Sequence, residues 1–149
     1  MSQKQRPGIM DVALKLLSKQ SYSQSKLYER LRRNGFDSET IEDCIIRLVE
    51  WGYLNDREYT SRKIELLIAK LKSRCYIKNY LINEGLEENL IDSLLDEAYP
   101  ESLEIQIAER LLTKHRNSSK KRTVDYRILV RGGFSENTIS KCFPELDTT

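Results

Sequence analysis

The sequence predicts an all-α protein: three tandem three-helix repeats forming an elongated, curved array. Three observations predict it. A short phrase occurs three times, as Leu31-Arg32-Arg33-Asn34-Gly35-Phe36, Leu81-Ile82-Asn83-Glu84-Gly85-Leu86 and Leu129-Val130-Arg131-Gly132-Gly133-Phe134. Around each phrase Gly, apolar residues return at the same offsets. Leu stands four before, Phe or Leu one after, Ile41, Ile91 and Ile139 six after, and Ile45, Leu95 and Phe143 ten after. No stretch alternates apolar and polar residues as a half-buried strand would. The glycines lie 50 and 48 positions apart, a period that marks a repeat architecture.

The phrase reads as a helix stop and restart. Gly takes the left-handed conformation just past a helix end, where a side chain would clash. The apolar residue after it packs back on the last turn. Asp37, Glu87 and Ser135 then open the next helix, offering oxygen atoms to its unpaired N–H groups. Gly35, Gly85 and Gly133 are therefore expected to be structural joints.

In chain order, residues 1–7 read as a polar tail. The first repeat covers 8–54. Its first helix runs from about Gly8 to Lys19, with Met10, Ala13, Leu14 and Leu17 at helical spacing. Ser23 is the expected cap of the second helix, which carries Leu27 and Leu31 and stops at Gly35. The third runs from Ser38 to Trp51, with Ile41, Ile45 and Leu48 on one face. It stops at Gly52, with Tyr53 and Leu54 packing back.

The second repeat covers 55–99. Asn55 and Asp56 cap a helix reaching Lys72, striped by Ile64, Leu67, Ile68 and Leu71. Ser73 separates it from a helix carrying Ile77 and Leu81. The next, from Glu88 to Tyr99, turns Ile91, Leu94, Leu95 and Ala98 inward. The third repeat covers 100–149. Pro100 suits a first helical turn, and Leu103, Ile107, Leu111 and Leu112 form the stripe of a helix fading near Lys114. The eighth helix carries Ile128 and Leu129. Here the pattern breaks: Asp125 stands where the other copies have Leu27 and Ile77. Either Val124 fills that place by a small rotation or the helix starts later. A short ninth helix ends at Pro144.

Composition excludes several classes. Three cysteines, Cys44, Cys75 and Cys142, form no CxxC pair and cannot all pair internally, which suits a reducing compartment. Cys44 and Cys142 fall at one offset after the phrase Gly and read as buried apolar fillers. Cys75 has basic neighbours and reads as partly exposed. No apolar run reaches the ~18 residues of a membrane span, and the start of the chain has no apolar signal core. A cytoplasmic protein, a monomer without membrane contact, is expected.

No enzyme is expected. The single histidine, His115, lies on a basic polar stretch and reads as solvated. One His and three scattered Cys supply no zinc spacing, so no metal and no cofactor are expected. Gly132-Gly133 lacks the Lys-Ser/Thr of a phosphate loop.

Charge is more informative. The net charge is only +2, but it conceals blocks. From Asp56 to Lys78 there are seven Lys/Arg against three acids: Arg57, Arg62, Lys63, Lys70, Lys72, Arg74 and Lys78. From Asn79 to Glu104 there are eight acids and no base, among them Glu84, Glu87, Glu88, Asp92, Asp96 and Glu97. From Arg110 to Arg131 there are eight bases against Asp125: Arg110, Lys114, Arg116, Lys120, Lys121, Arg122, Arg127 and Arg131. Such runs are ordinarily solvated helix faces. Their alternation points to an interaction surface, with positive parts for phosphates and a negative part for a basic partner. Tyr76 and Tyr80 lie beside these charges, suited either to helix packing or to base stacking. No helix shows a base-reading pattern of Arg, Asn and Gln.

The stretch Gly52-Tyr53-Leu54-Asn55-Asp56-Arg57-Glu58-Tyr59 resembles the GYLDD-x-x-[YF] segment of the RecX regulatory proteins. The following Lys72-Ser73-Arg74-Cys75-Tyr76 and second phrase look like that family's basic loop, and Tyr22-Ser23 through Gly35-Phe36 resembles its opening. The likeness covers roughly residues 8–143. Asn55 replaces the usual Asp, Thr60 the usual Ala, and Ser73-Arg74-Cys75 a more Gly/Arg-rich loop. The resemblance implies a non-enzymatic regulator that lies in the groove of the RecA–single-stranded DNA filament and mostly dampens recombinase, ATPase and coprotease activity. The expected mechanism sets the basic residues on DNA phosphates and the acidic 79–104 segment against RecA, with duplex DNA bound weakly at most. The rival readings are an independent DNA-binding protein with helix-turn-helix-like units and a structural helical adaptor.

Overall fold

The computed structural model describes residues 7–116 and 122–143. Among the described residues the order is α1 (Ile9–Lys19), α2 (Gln24–Arg33), α3 (Ser38–Glu50), α4 (Asp56–Ala69), α5 (Arg74–Asn83), α6 (Glu88–Ala98), α7 (Glu101–Arg116), α8 (Arg122–Arg131) and α9 (Glu136–Cys142), with no strand. The described residues fall into two compact units, one holding those up to Tyr59 with Glu84–Leu86, the other holding Thr60–Asn83 and those from Glu87 onward.

In the first unit α1, α2 and α3 pack on one another. Ala13, Leu27, Leu31, Ile41, Cys44, Ile45, Leu48 and Leu54 form its core, flanked by half-buried Met10, Leu14 and Leu17. Each fully buried Leu or Ile contributes about 1.5–3 kcal/mol. In the second unit α5 packs on α6, and α7 on α8 and α9. The phrase positions occupy matching places. Leu31, Leu81 and Leu129 are all buried, as are Ile41, Ile91 and Ile139, and Ile45, Leu95 and Phe143.

The joints have left-handed glycines, with φ of 92° at Gly35, 80° at Gly85 and 79° at Gly133. The Phe36 N–H donates to Leu31 O and the Phe134 N–H to Leu129 O, the long-range bond of a Schellman stop. Asp37 and Ser135 cap the following helices, accepting from Thr40 N at 2.8 Å and Thr138 N at 3.2 Å. Glu87 stands at the corresponding N-cap but makes no side-chain cap hydrogen bond.

Several expectations are corrected. α4 ends at Ala69 rather than Lys72, and Leu71 lies off the helix with φ of 62°. The Lys72 N–H donates to Leu67 O, so Leu71 fills the left-handed place usually given to Gly. Tyr53 faces solvent, and Leu54 alone packs back after Gly52. Ala98 is exposed, and the last inward residue of that segment is Tyr99. On α7 the buried stripe is Glu104, Ile107, Ala108 and Leu112, with Leu103 and Leu111 only partly covered. α8 starts at Arg122, and Asp125 itself is buried at the place of Leu27 and Ile77. The Val124 side chain lies outside the described residues. Cys44 is buried, which pushes its thiol pKa up, whereas Cys142 is only partly buried. Cys75 is exposed. His115 is partly buried rather than solvated.

Candidate functional site

The expected interface residues divide by what they touch. α5 follows Ser73, whose hydroxyl caps it by accepting from Tyr76 N at 3.1 Å. One helical turn separates Arg74 from Lys78, and both meet α6. The Arg74 guanidinium donates from Nη2 to Asp96 Oδ1 at 2.5 Å and from Nη1 to Tyr99 O at 3.2 Å. Lys78 Nζ lies 3.1 Å from Glu88 Oε1 and 2.9 Å from Asp92 Oδ1. These carboxylates raise the Lys78 pKa, Asp92 most.

The two charge blocks therefore answer each other along the α5–α6 pair. Sequence reasoning set Arg74 and Lys78 apart from Glu88, Asp92 and Asp96 as surfaces for different partners. The fold brings them together, because α5 and α6 pack side by side and these two bases of the basic block face three acids of the next.

Lys72 has another partner: its Nζ lies 4.7 Å from the centre of the Tyr76 ring, a favourable cation–π distance. The Lys72 carbonyl accepts from the hydroxyl of Tyr99 at 2.9 Å. Tyr99 is buried, and that burial, with Glu104 adding to it, pushes its hydroxyl pKa up. Tyr76 is exposed and Tyr80 partly buried.

Other cations face solvent. Arg57 and Arg62 on α4, Lys70 just after it, Arg110 and Lys114 on α7, and Arg127 and Arg131 on α8 are exposed, while Lys63 is partly buried. Arg127 and Arg131 are four apart, on one side of α8. Lys120 and Lys121, and the side chains of Arg116 and Arg122, lie outside the described residues. Of the remaining acids, Glu87 and Glu97 are exposed, and Glu84 accepts from the Tyr59 hydroxyl at 3.2 Å.

The joints carry a feature that spacing alone did not reveal. In the first unit the Ser23 hydroxyl, which caps α2 through Lys26 N, also donates to the Glu84 carbonyl at 2.8 Å. In the second unit the Ser73 hydroxyl donates to the Gly132 carbonyl at 2.5 Å. Glu84 and Gly132 each precede a phrase Gly. A Cβ on Gly85 would collide with the Oγ and Cβ of Ser25. One on Gly133 would lie 3.2 Å from Ser73 Oγ and 3.5 Å from Cys75 Cβ. These glycines answer a close approach as well as a backbone angle. The recurrence of Ser at 23 and 73 was the sequence signal for it.

Among the described residues no group of His, Cys, Asp and Glu is placed to hold a metal ion, and no helix is long and apolar enough to cross a membrane. A shallow depression of about 210 Å³ is lined by Pro7, Val12, Asn34 and Phe36, none of them an acid or base.

Residues 10–48 match the family model described as "RecX, first three-helix domain". The regulatory protein RecX of Pelodictyon phaeoclathratiforme is 32% identical over 136 residues, 89% of this chain and 85% of that protein. The chain belongs to the RecX family. The RecX of Caldanaerobacter subterraneus is 28% identical over 129 residues, 87% of this chain and 66% of that longer protein. The fold agrees with the crystal structure of RecX from Lactobacillus salivarius, with a TM-score of 0.79 at 24% identity over 93% of this chain and 94% of that one. RecX relatives are regulatory proteins by name, and the helices described above are those of a RecX fold.

Proposed function

We propose that the chain is a non-enzymatic regulator of the RecA recombinase that binds the recombinase–single-stranded DNA filament and mostly inhibits strand exchange, ATP hydrolysis and coprotease activity. The observation that carries this reading is the near full-length match to a regulatory protein RecX. In this reading the exposed cations Arg57, Lys70, Arg110, Lys114, Arg127 and Arg131 meet backbone phosphates, which fixes position without reading sequence. Arg74 and Lys78 contribute less, because α6 carboxylates already hold them. The protein acts as a monomer in the cytoplasm and needs no metal or cofactor.

The test is recombinase ATPase and strand exchange on single-stranded DNA with this protein added over a concentration series. Both rates are expected to fall. Unchanged rates at saturating protein, or tight binding to a defined duplex site with no response to the filament, would replace this reading with that of an independent DNA-binding protein.

A further inference from the structure

We infer that the outward face of α3 is a docking surface for a protein segment that presents apolar side chains flanked by lysine and arginine. This rests on the function proposed above, and the segment then belongs to a recombinase subunit rather than to DNA.

The face is defined by helical spacing. Ile41, Cys44, Ile45 and Leu48 are buried and set the inward side of α3. Ile46 lies opposite them and is 56% exposed, with Val49 one turn on at 41%. At the end of the helix Trp51 and Tyr53 are each 57% exposed. Scattered exposed apolar residues are ordinary, but Ile46 and Val49 lie one turn apart on the exposed side of α3, and Trp51 and Tyr53 leave two more large apolar side chains open at its end. Trp and Tyr are also the residues that most often anchor protein interfaces.

The charges around the patch select its partner. At one-turn spacing from Ile46 stand Glu42, Asp43 and Glu50, and Glu39 lies a further turn back, all exposed. Arg47 is the one base on the exposed part of α3. A carboxylate-rimmed apolar face repels nucleic acid and complements a basic, apolar protein segment. The acids of α6 are less available for that task, because Glu88, Asp92 and Asp96 are engaged by Lys78 and Arg74.

The fold does not require this apolar exterior. The position fifty residues after Ile46, at the same offset from its phrase Gly, is Asp96, and it is exposed. There the side chain pairs with Arg74, so a helix at this place holds without an apolar residue, and packing within the fold does not call for the Ile.

Two full-length variants test the inference: Ile46→Asp, and Glu42→Lys with Asp43→Lys. Binding to the recombinase filament on single-stranded DNA is measured beside binding to the same DNA alone, thermal unfolding and sedimentation. Both variants are expected to unfold as the parent does and to lose about tenfold or more in filament affinity. The two change charge in opposite senses, so an effect arising only from repulsion or attraction of DNA would move them in opposite directions. Such opposed shifts, or filament affinities equal to the parent's, would overturn the docking surface while leaving the proposed function standing. Self-association of the parent that Ile46→Asp abolishes, with filament affinity retained, would assign the face to a second copy of this chain and overturn it likewise. A parent that does not bind the filament would overturn the proposed function and this inference with it.

Discussion

The Ser73 hydroxyl and the Gly132 carbonyl are 2.5 Å apart, and the same oxygen of Ser73 caps α5 by accepting from Tyr76 N. One buried side chain thus starts one helix and satisfies the end of another. Ser73→Ala loses both bonds and is expected to destabilise the protein by about 2 kcal/mol, roughly half from the cap and half from the buried hydrogen bond. Ser135→Ala, which loses a cap without a long-range bond, is expected to cost about 1 kcal/mol. Urea unfolding of the two variants measures the difference.

Gly85 and Gly52 separate two reasons for glycine. Their φ angles are 80° and 81°, but a Cβ on Gly52 meets nothing within 4 Å, whereas one on Gly85 strikes Ser25. Gly52→Ala should cost about 1 kcal/mol for the left-handed backbone alone. Gly85→Ala should cost about 3 kcal/mol, since overpacking adds to it. Replacing Ser25 by Gly in the Gly85→Ala background is expected to recover part of the loss, read by the same unfolding experiment.

Two groups give pH dependence of opposite sign. The Asp37 carboxyl is held below its ordinary 3.8, chiefly by the Thr40 N–H. Its contribution is present above that value and disappears as pH falls through the lower folded-state pKa. Lys78 is raised above its ordinary 10.5 by Asp92 and Glu88. Its contribution is complete below 10.5 and disappears as pH rises through the higher folded-state pKa. Melting temperatures of Asp37→Asn and Lys78→Met across pH are expected to approach the parent's at the acid end for the first and at the alkaline end for the second.

The α8 pair Arg127 and Arg131 should matter more for DNA than the pair Arg74 and Lys78. Replacing both α8 arginines by Glu is expected to weaken single-stranded DNA binding about tenfold or more and to flatten its salt dependence by roughly 0.7 for each phosphate no longer neutralised. Replacing Arg74 and Lys78 by Ala should change it by about threefold or less, because their carboxylate partners already offset much of their charge. Fluorescence anisotropy over a salt series distinguishes the two outcomes.

The joints were legible because glycine leaves a mark: only it takes these backbone angles without cost. The core was legible for a related reason, since Leu31, Leu81 and Leu129 recur at one offset and are all buried. The stop after α4 left no such mark, because Leu71 occupies a left-handed position that sequence rules assign to Gly or Asn. The buried Asp125 contradicts its own residue type, so the pattern suggested displacing it. The pairing of Arg74 with Asp96 was hidden for another reason. Residues 22 positions apart meet only when two helices fold back on each other, and charge counting along a line treats them as separate.

The serine bond also bears on how such a chain grows. Its donor lies in one copy of the pattern and its acceptor in the next, at Ser23 with Glu84 and again at Ser73 with Gly132. A duplicated segment of that length carries a donor for the copy ahead and an acceptor for the copy behind. It can be spliced into the chain with both ends already matched. Length in this architecture can thereby change by whole copies, and the bond re-forms across a small difference in spacing, 61 residues in the first pair and 59 in the second.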